Sequence, residues 1–356
     1  MTNQPGLFGL MNSNRDFTKK KYWGKNQFNS SFPAALTCYM GHVNINPVYL
    51  LLNAKKKVEQ SEILVSQLFG LPALADTLHF SFESLYTPYD IFVEGELPRV
   101  DLVTLDTSDE KPVCLHPLEV KLTALPDDQT HSFSEDKYGC EIVVRPDTIV
   151  YLALSVAQSY RHQRSVLMQI LDPVCSRILD WQDAWHVRPF LQEVASAIDD
   201  LLLAILDKQK PLLLQPVWKT IGKSPVLHEN CFDLFVWSDF ALTRVFVDRV
   251  KQPQPNRRMT RFERTIFWLA KMLYDFAQNG KFDPKETIDK LTYDTRNDKA
   301  FSAGGRITYK YMRGDVLTSP RVHKKAIREI IRGGGQDFLS PERRLDAVIL
   351  NTPGLF

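Results

Sequence analysis

Between Pro98 and Leu122 the chain alternates in a way that leaves few folds open. Residues 98–106 read Pro-Arg-Val-Asp-Leu-Val-Thr-Leu-Asp, and Pro117-Leu118-Glu119-Val120-Lys121-Leu122 follow after a connection rich in Ser, Asp, Glu and Lys. Two apolar runs split by turn-forming residues predict a β-hairpin. Side chains alternate faces along a strand, so Leu118, Val120 and Leu122 face a core while Glu119 and Lys121 share the other side. Asp101 opens the neighbouring strand. Pairing brings one Asp, one Glu and one Lys together at the same edge of the sheet.

Two carboxylates so placed can hold a hard divalent cation such as Mg²⁺, which takes oxygen ligands and keeps several waters. A lysine beside them can orient or help deprotonate a water whose pKa the metal lowers. This is equipment for phosphodiester hydrolysis. The residues match the Asp–(Glu/Asp)-x-Lys signature of the PD-(D/E)XK nucleases, with 17 residues between Asp101 and Glu119. Val100, not Pro, precedes the Asp, and Pro98 lies two positions further back; the proline has no metal-binding role. The bare triplet is not specific, because acidic-x-Lys also occurs at Asp109, Glu135 and Asp283. The first two lie in polar, turn-like runs and the third has Pro284 at its centre. Only Glu119 lies in an alternating apolar strand with an aspartate-bearing strand just upstream. Taken alone, the motif also fits a Glu/Lys pair on an exposed sheet face.

At 356 residues the chain is long enough for one large domain or two. Its five cysteines form no Cys-x-x-Cys pair, which argues against a zinc site or a disulfide framework. No signal peptide and no apolar run of about 18 residues is present, so a reduced cytoplasmic protein with no membrane partner is expected. The net charge of +2 hides an asymmetry. Residues 249–356 carry 22 Lys and Arg against 12 Asp and Glu, leaving −8 for the rest. Such a split suggests a polyanion partner for the basic part, or a solubilising surface.

Taken in order, the first 30 residues form a basic, aromatic, Asn-rich arm that suits either packing or a nucleic-acid backbone. Apolar spacing over Pro47–Phe69 predicts a helix ending at Gly70, and residues 72–87 predict a weaker helix containing Glu83. Ile91–Glu94 reads as a strand. Residues 125–137 read as an exposed loop, and Cys140–Val144 as a strand. Pro146-Asp147 opens a long apolar helix from Thr148 to about Gln169; the pair suits a helix start, not a nuclease motif. Residues 189–207 read as an amphipathic helix, and Leu212–Trp218 and Phe232–Val247 as strands. The sum is an α/β fold with a mixed central sheet flanked by helices. Gln252–Asn256 reads as a linker, dividing a nuclease core with its arm (1–250) from a basic, largely helical region (251–356). There, Arg257, Arg258, Arg261 and Arg264 crowd a helix start. Arg321, Lys325, Arg328 and Arg332 fall on one helical face while Val322, Ala326, Ile327, Ile330 and Ile331 fill another, a basic stripe suited to phosphate contacts or groove entry. No glycine cluster is followed by the Lys-Ser/Thr of a P-loop.

The Pro98–Lys121 block, the segment Tyr138–Ala157 and the basic C-terminal third together resemble the HindVP/HgiDI group of type II restriction endonucleases over nearly the whole chain. The resemblance implies a PD-(D/E)XK-like fold and Mg²⁺-dependent double-strand cleavage of DNA at a short palindrome, GRCGYC. It also implies a homodimer and a methyltransferase that protects host DNA. Carried over by residue, Asp101 and Glu119 ligate Mg²⁺, the Val120 backbone carbonyl supplies a third ligand and Lys121 positions the attacking water. Glu83 is the candidate for the further carboxylate that such nucleases often draw from a helix before the Asp strand. Arg257, Arg258, Arg261 and Arg328 are candidates for base contacts on charge alone. Two other functions stay open: a structure-selective repair nuclease of the same superfamily, and a non-catalytic DNA-binding protein whose acidic pair is accidental.

Overall fold

The computed structural model describes residues 44–73, 75–120, 146–216, 234–250 and 259–293, with shorter pieces at 34, 37–38, 40–41, 143–144, 219–221, 224–226 and 301–302. Seven strands form one mixed sheet: β1 (Val48–Leu52), β2 (Val58–Glu62), β3 (Leu78–Ser84), β4 (Val100–Asp106), β5 (Val113–Val120), β6 (Pro211–Pro216) and β7 (Leu234–Ser238). Their spatial order is β2-β1-β7-β6-β5-β4-β3. β5 runs parallel to β6 and β1 parallel to β7, while every other pair is antiparallel. The expected hairpin is therefore β4–β5. Its second strand is interior to the sheet, so Glu119 sits at a strand end in the middle, not at an open edge.

Six longer helices complete the described fold: α1 (Pro146–Ser159), α2 (Arg164–Cys175), α3 (Leu191–Ala204), α4 (Asp239–Val250), α5 (Arg261–Asn279) and α6 (Pro284–Lys290). Eleven of the 14 residues of α1 are buried, which makes it the central helix and not a surface one. It packs against α4 and α5, and α5 also packs against α2 and α3. α5 is fixed at both ends. Thr260 and Glu263 close a capping box, and Gly280 ends the helix in the left-handed region at φ 81°. Trp268 is buried on α5 and its indole donates to the Leu291 carbonyl at 2.9 Å. The other side of the β3–β5 sheet is covered by a short helix, Val65–Phe69, whose Phe69 ring meets Phe80 edge-on at 5.2 Å.

Several expectations change. The helix read over 47–69 is a β1–β2 hairpin followed by that short helix. Asn53 decides the matter: its side-chain oxygen accepts from the Lys55 and Lys57 amides at 2.9 and 3.0 Å, fixing a turn that helical spacing did not reveal. Residues 78–84 are strand β3, in which Leu78, Phe80 and Phe82 recur with period two. Ile91 lies in a 3₁₀ turn, Thr87–Phe92, and not in a strand. The long helix from 148 to 169 is two helices, parted where Tyr160 turns inward and donates to the Leu201 carbonyl at 2.7 Å. The strand read over 232–247 stops at Ser238, and α4 begins at Asp239, whose carboxylate in the first turn suits the helix dipole. The Gly70 stop, α3, α5 and β6 lie where the sequence places them. The 125–137 loop, most of Cys140–Val144 and the helix over 321–332 lie outside the described residues.

Two outcomes follow from this packing. Leu152→Ala, at the fully buried centre of α1, is expected to cost about 2–5 kcal/mol in urea unfolding. Burial holds the His116 imidazole below its ordinary pKa of 6.5, against the pull of the Leu68 carbonyl 2.9 Å from Nδ1. The unfolded chain therefore takes up that proton more readily than the folded one. Stability should fall as pH drops below 6.5 and level off below the depressed value. His116→Gln should remove part of that loss, measured as the urea midpoint at neutral pH and near pH 5.5.

Candidate active site

The β4–β5 ladder pairs Leu102 with Leu118, Val103 with Pro117 and Thr104 with His116. One step further along the same register, Asp101 lies across from Glu119. On the other flank β3 pairs Phe82 with Leu102 and Ser84 with Val100, which sets Glu83 across from Asp101. Three acidic positions thus fall on one row over three strands; in a regular ladder, as between β4 and β5, opposed residues have Cβ atoms about 4.5–5.5 Å apart. Glu83 is on a strand and not on a helix as expected. Its backbone is left-handed at φ 46°, a strained conformation for a residue with a Cβ, and its carbonyl accepts from Arg99 Nη1 at 3.1 Å. The Glu83 side chain is exposed. The regular part of the row is Asp101 and Glu119.

Those two side chains differ in setting. Asp101 is half-buried, sharing a strand face with Val103 and Leu105, both packed in the main core. Glu119 is only 5% exposed, which excludes the reading of it as a surface Glu. Burying a carboxylate is costly unless hydrogen bonds replace lost water. Thr148 Oγ1 supplies one, donating to Glu119 Oε1 at 3.2 Å with both groups buried. Thr148 stands in the first turn of α1, behind Pro146 and Asp147, and that turn does open the helix as their order implies.

Three residues on, Tyr151 donates its phenol to the Pro98 carbonyl at 2.8 Å, at the entry to β4. Burial, and then the carboxylates of Glu119, Asp147 and Asp90, hold that phenol well above its ordinary pKa, so it remains a donor. Next on the same face, Ser155 donates to the buried Asp239 carboxylate, and Ser159 to the Ser155 carbonyl at 3.1 Å. The helix behind the hairpin thus presents a stripe of hydroxyls at 148, 151, 155 and 159. The sequence reading missed all four. The available signal was their helical spacing on an otherwise apolar segment.

Two opposed carboxylates are an all-oxygen donor set, which fits a hard cation such as Mg²⁺ better than a softer transition metal. Among the described residues no group of three or more His, Cys, Asp or Glu side chains converges on a metal position. Val120, the last residue of β5, is in register with Leu214 of the parallel strand β6. Lys121 lies just beyond, outside the described residues, as do Arg257, Arg258, Arg321, Lys325, Arg328 and Arg332. Arg261 is the first residue of α5. Among the described residues no helix is long and apolar enough to cross a membrane.

No solved structure matches this chain. The family model described as HindVP restriction endonuclease matches residues 23–356. A type II restriction enzyme of Herpetosiphon aurantiacus, HgiDI, is 50% identical over 99% of this chain and 98% of its own length. A probable type II restriction enzyme of Haemophilus influenzae, HindVP, is 38% identical over 100% of this chain and 96% of its own length. With the family model and two full-length relatives in agreement, this chain belongs to the HindVP restriction endonuclease family.

Proposed function

We propose that this chain, a type II restriction enzyme by family, makes Mg²⁺-dependent double-strand cuts at a short palindromic DNA site through a PD-(D/E)XK-type centre. The observation that carries the reading is the opposition of Asp101 and Glu119 across β4 and β5, with Glu119 buried and held by a donor. The palindrome implied by the family resemblance is GRCGYC, and a two-fold symmetric homodimer would match it half-site for half-site. A cognate methyltransferase would protect the host's own copies of that site.

In this reading Asp101, Glu119 and the Val120 carbonyl hold the metal, and Glu83 is the further candidate on the same row. Bound there, the metal would lower the pKa of water and offset the charge that builds on the phosphate. Lys121, two residues beyond Glu119 in the sequence, orients the attacking water and favours loss of its proton. Water oxygen bonds to phosphorus as the bond to the 3′-oxygen breaks. The 3′-oxygen takes a proton, leaving a 3′-hydroxyl and a 5′-phosphate. The region 251–356 supplies phosphate contacts through Arg321, Lys325, Arg328 and Arg332, and base contacts through Arg257, Arg258, Arg261 and Arg328; the core, 1–250, carries the chemistry.

Digestion of unmethylated, phage-length DNA tests the reading. With Mg²⁺ the full chain should give discrete fragments, and with EDTA none. Asp101→Ala, Glu119→Ala and Lys121→Ala should each abolish cleavage while DNA binding persists. A smear of products would favour a structure-selective or nonspecific nuclease. Intact DNA that is nonetheless retarded on a gel, with no effect of Glu119→Ala, would favour a non-catalytic binding protein.

The basic stripe makes a separate prediction. Neutralising Arg321, Lys325 and Arg328 together should weaken DNA binding and reduce the slope of log K against log salt by about 0.9 for each phosphate that is no longer neutralised. An unchanged slope would remove that segment from the interface.

A further inference from the structure

The turn of α1 that faces the hairpin touches both strands of the acidic pair by different means. Thr148 reaches the Glu119 carboxylate directly, at 3.2 Å. Tyr151 reaches the backbone three residues before Asp101, at the Pro98 carbonyl, at 2.8 Å. Both residues are almost fully buried, at 0% and 1% exposure, so neither hydroxyl competes with bulk water for its partner. The two sit at i and i+3, neighbours on one helical face. Their helix is locked from behind: Ser155, one turn further, bonds to Asp239 at the start of α4, and the rest of α1 is packed among α4 and α5.

We propose that Thr148 and Tyr151 are positioning residues that set the separation and orientation of the Asp101 and Glu119 carboxylates for metal binding. The inference rests on reading that pair as the metal site. A hairpin ladder alone fixes the Cα register of Asp101 and Glu119. It leaves the three rotatable bonds of the Glu119 side chain free and lets the entry to β4 shear against β5. Thr148 restrains the first freedom by tying Oε1. Tyr151 removes the second by pinning the chain just before Asp101. One rigid helical turn thus acts as a gauge between two strands, and neither hydroxyl touches substrate or metal.

The test compares Thr148→Val and Tyr151→Phe, near-isosteric variants that delete one hydroxyl each, with Thr148→Ser, which keeps it. The full chain is assayed for the Mg²⁺ concentration at half-maximal cleavage, Mg²⁺ binding by calorimetry, DNA binding in EDTA and thermal melting. Loss of a hydrogen bond to a buried charged group should raise the half-saturating Mg²⁺ concentration of Thr148→Val by about tenfold to a hundredfold. Calorimetric affinity for Mg²⁺ should weaken in parallel, and DNA binding in EDTA should not change. Tyr151→Phe should shift in the same direction by about tenfold, as expected for a neutral bond. Thr148→Ser should restore near-normal Mg²⁺ dependence.

Lower melting with normal Mg²⁺ dependence in both variants would show a purely structural role and overturn the proposal. Should one variant fail to fold, the other decides. Glu119→Ala separates the two levels. If it cleaves normally, the metal-site reading itself has failed. If it is inactive while Thr148→Val and Tyr151→Phe bind Mg²⁺ as the parent does, only the positioning role is lost.

Discussion

A carboxylate buried at the end of a central strand is the constraint around which the described fold is arranged. Glu119 on β5 is flanked by β4 on one side and β6 on the other, and covered by the first turn of α1. A charge in that position needs donors that are themselves held rigidly, because any slack leaves it without compensation. α1 meets the demand by being almost wholly enclosed. Its apolar residues fill the space between sheet and helices, while its hydroxyl stripe serves Glu119, the Pro98 carbonyl and Asp239. Packing and chemistry are therefore not separate tasks in this helix.

A second buried charge ties down the opposite half of the sheet. Asp199 on α3 is 1% exposed and paired with Arg244 of α4, and Lys56 of the β1–β2 turn approaches it at 3.0 Å. That turn is the one shaped by Asn53, with Lys56 itself left-handed at φ 60°. A local turn, a buried aspartate and two helices are thus joined in one network. It anchors the sheet edge farthest from β3, as α1 anchors the hairpin, and the two anchors meet through α4.

What the sequence disclosed depended on which signals were local. The β4–β5 hairpin was legible because strict alternation has no helical counterpart, and Asp101 and Glu119 came with it. α5 was legible at its start, where Arg257, Arg258, Arg261 and Arg264 crowd together in the sequence. β1 and β2 were not, because Val48, Leu51, Leu52 and Val58 also satisfy a helical template, and the deciding Asn53 bonds involve one side chain and two amides. α4 was hidden inside an apolar run that suits a buried strand or a buried helix equally. Thr148 and Tyr151 were invisible for a different reason. A hydroxyl on an apolar helix announces nothing until the partner it meets, 29 or 53 residues away, is known.

The parallel pairing of β5 with β6 bears on when such a site comes into being. Glu119 is in register with Leu213, and Val48 with Phe235, so the sheet closes only between segments far apart in the chain. Pairings of that kind form late, because a long loop must be ordered before any pairing offsets its entropy. During synthesis the strand carrying Glu119 stays unflanked on one side until the residues near 213 have left the ribosome. Helix α1 is made after the hairpin and before β6. This chain therefore emerges with its acidic hairpin early and β6, which flanks it, late. Whatever destructive chemistry the finished fold performs on DNA, the nascent chain is without the walls to perform it.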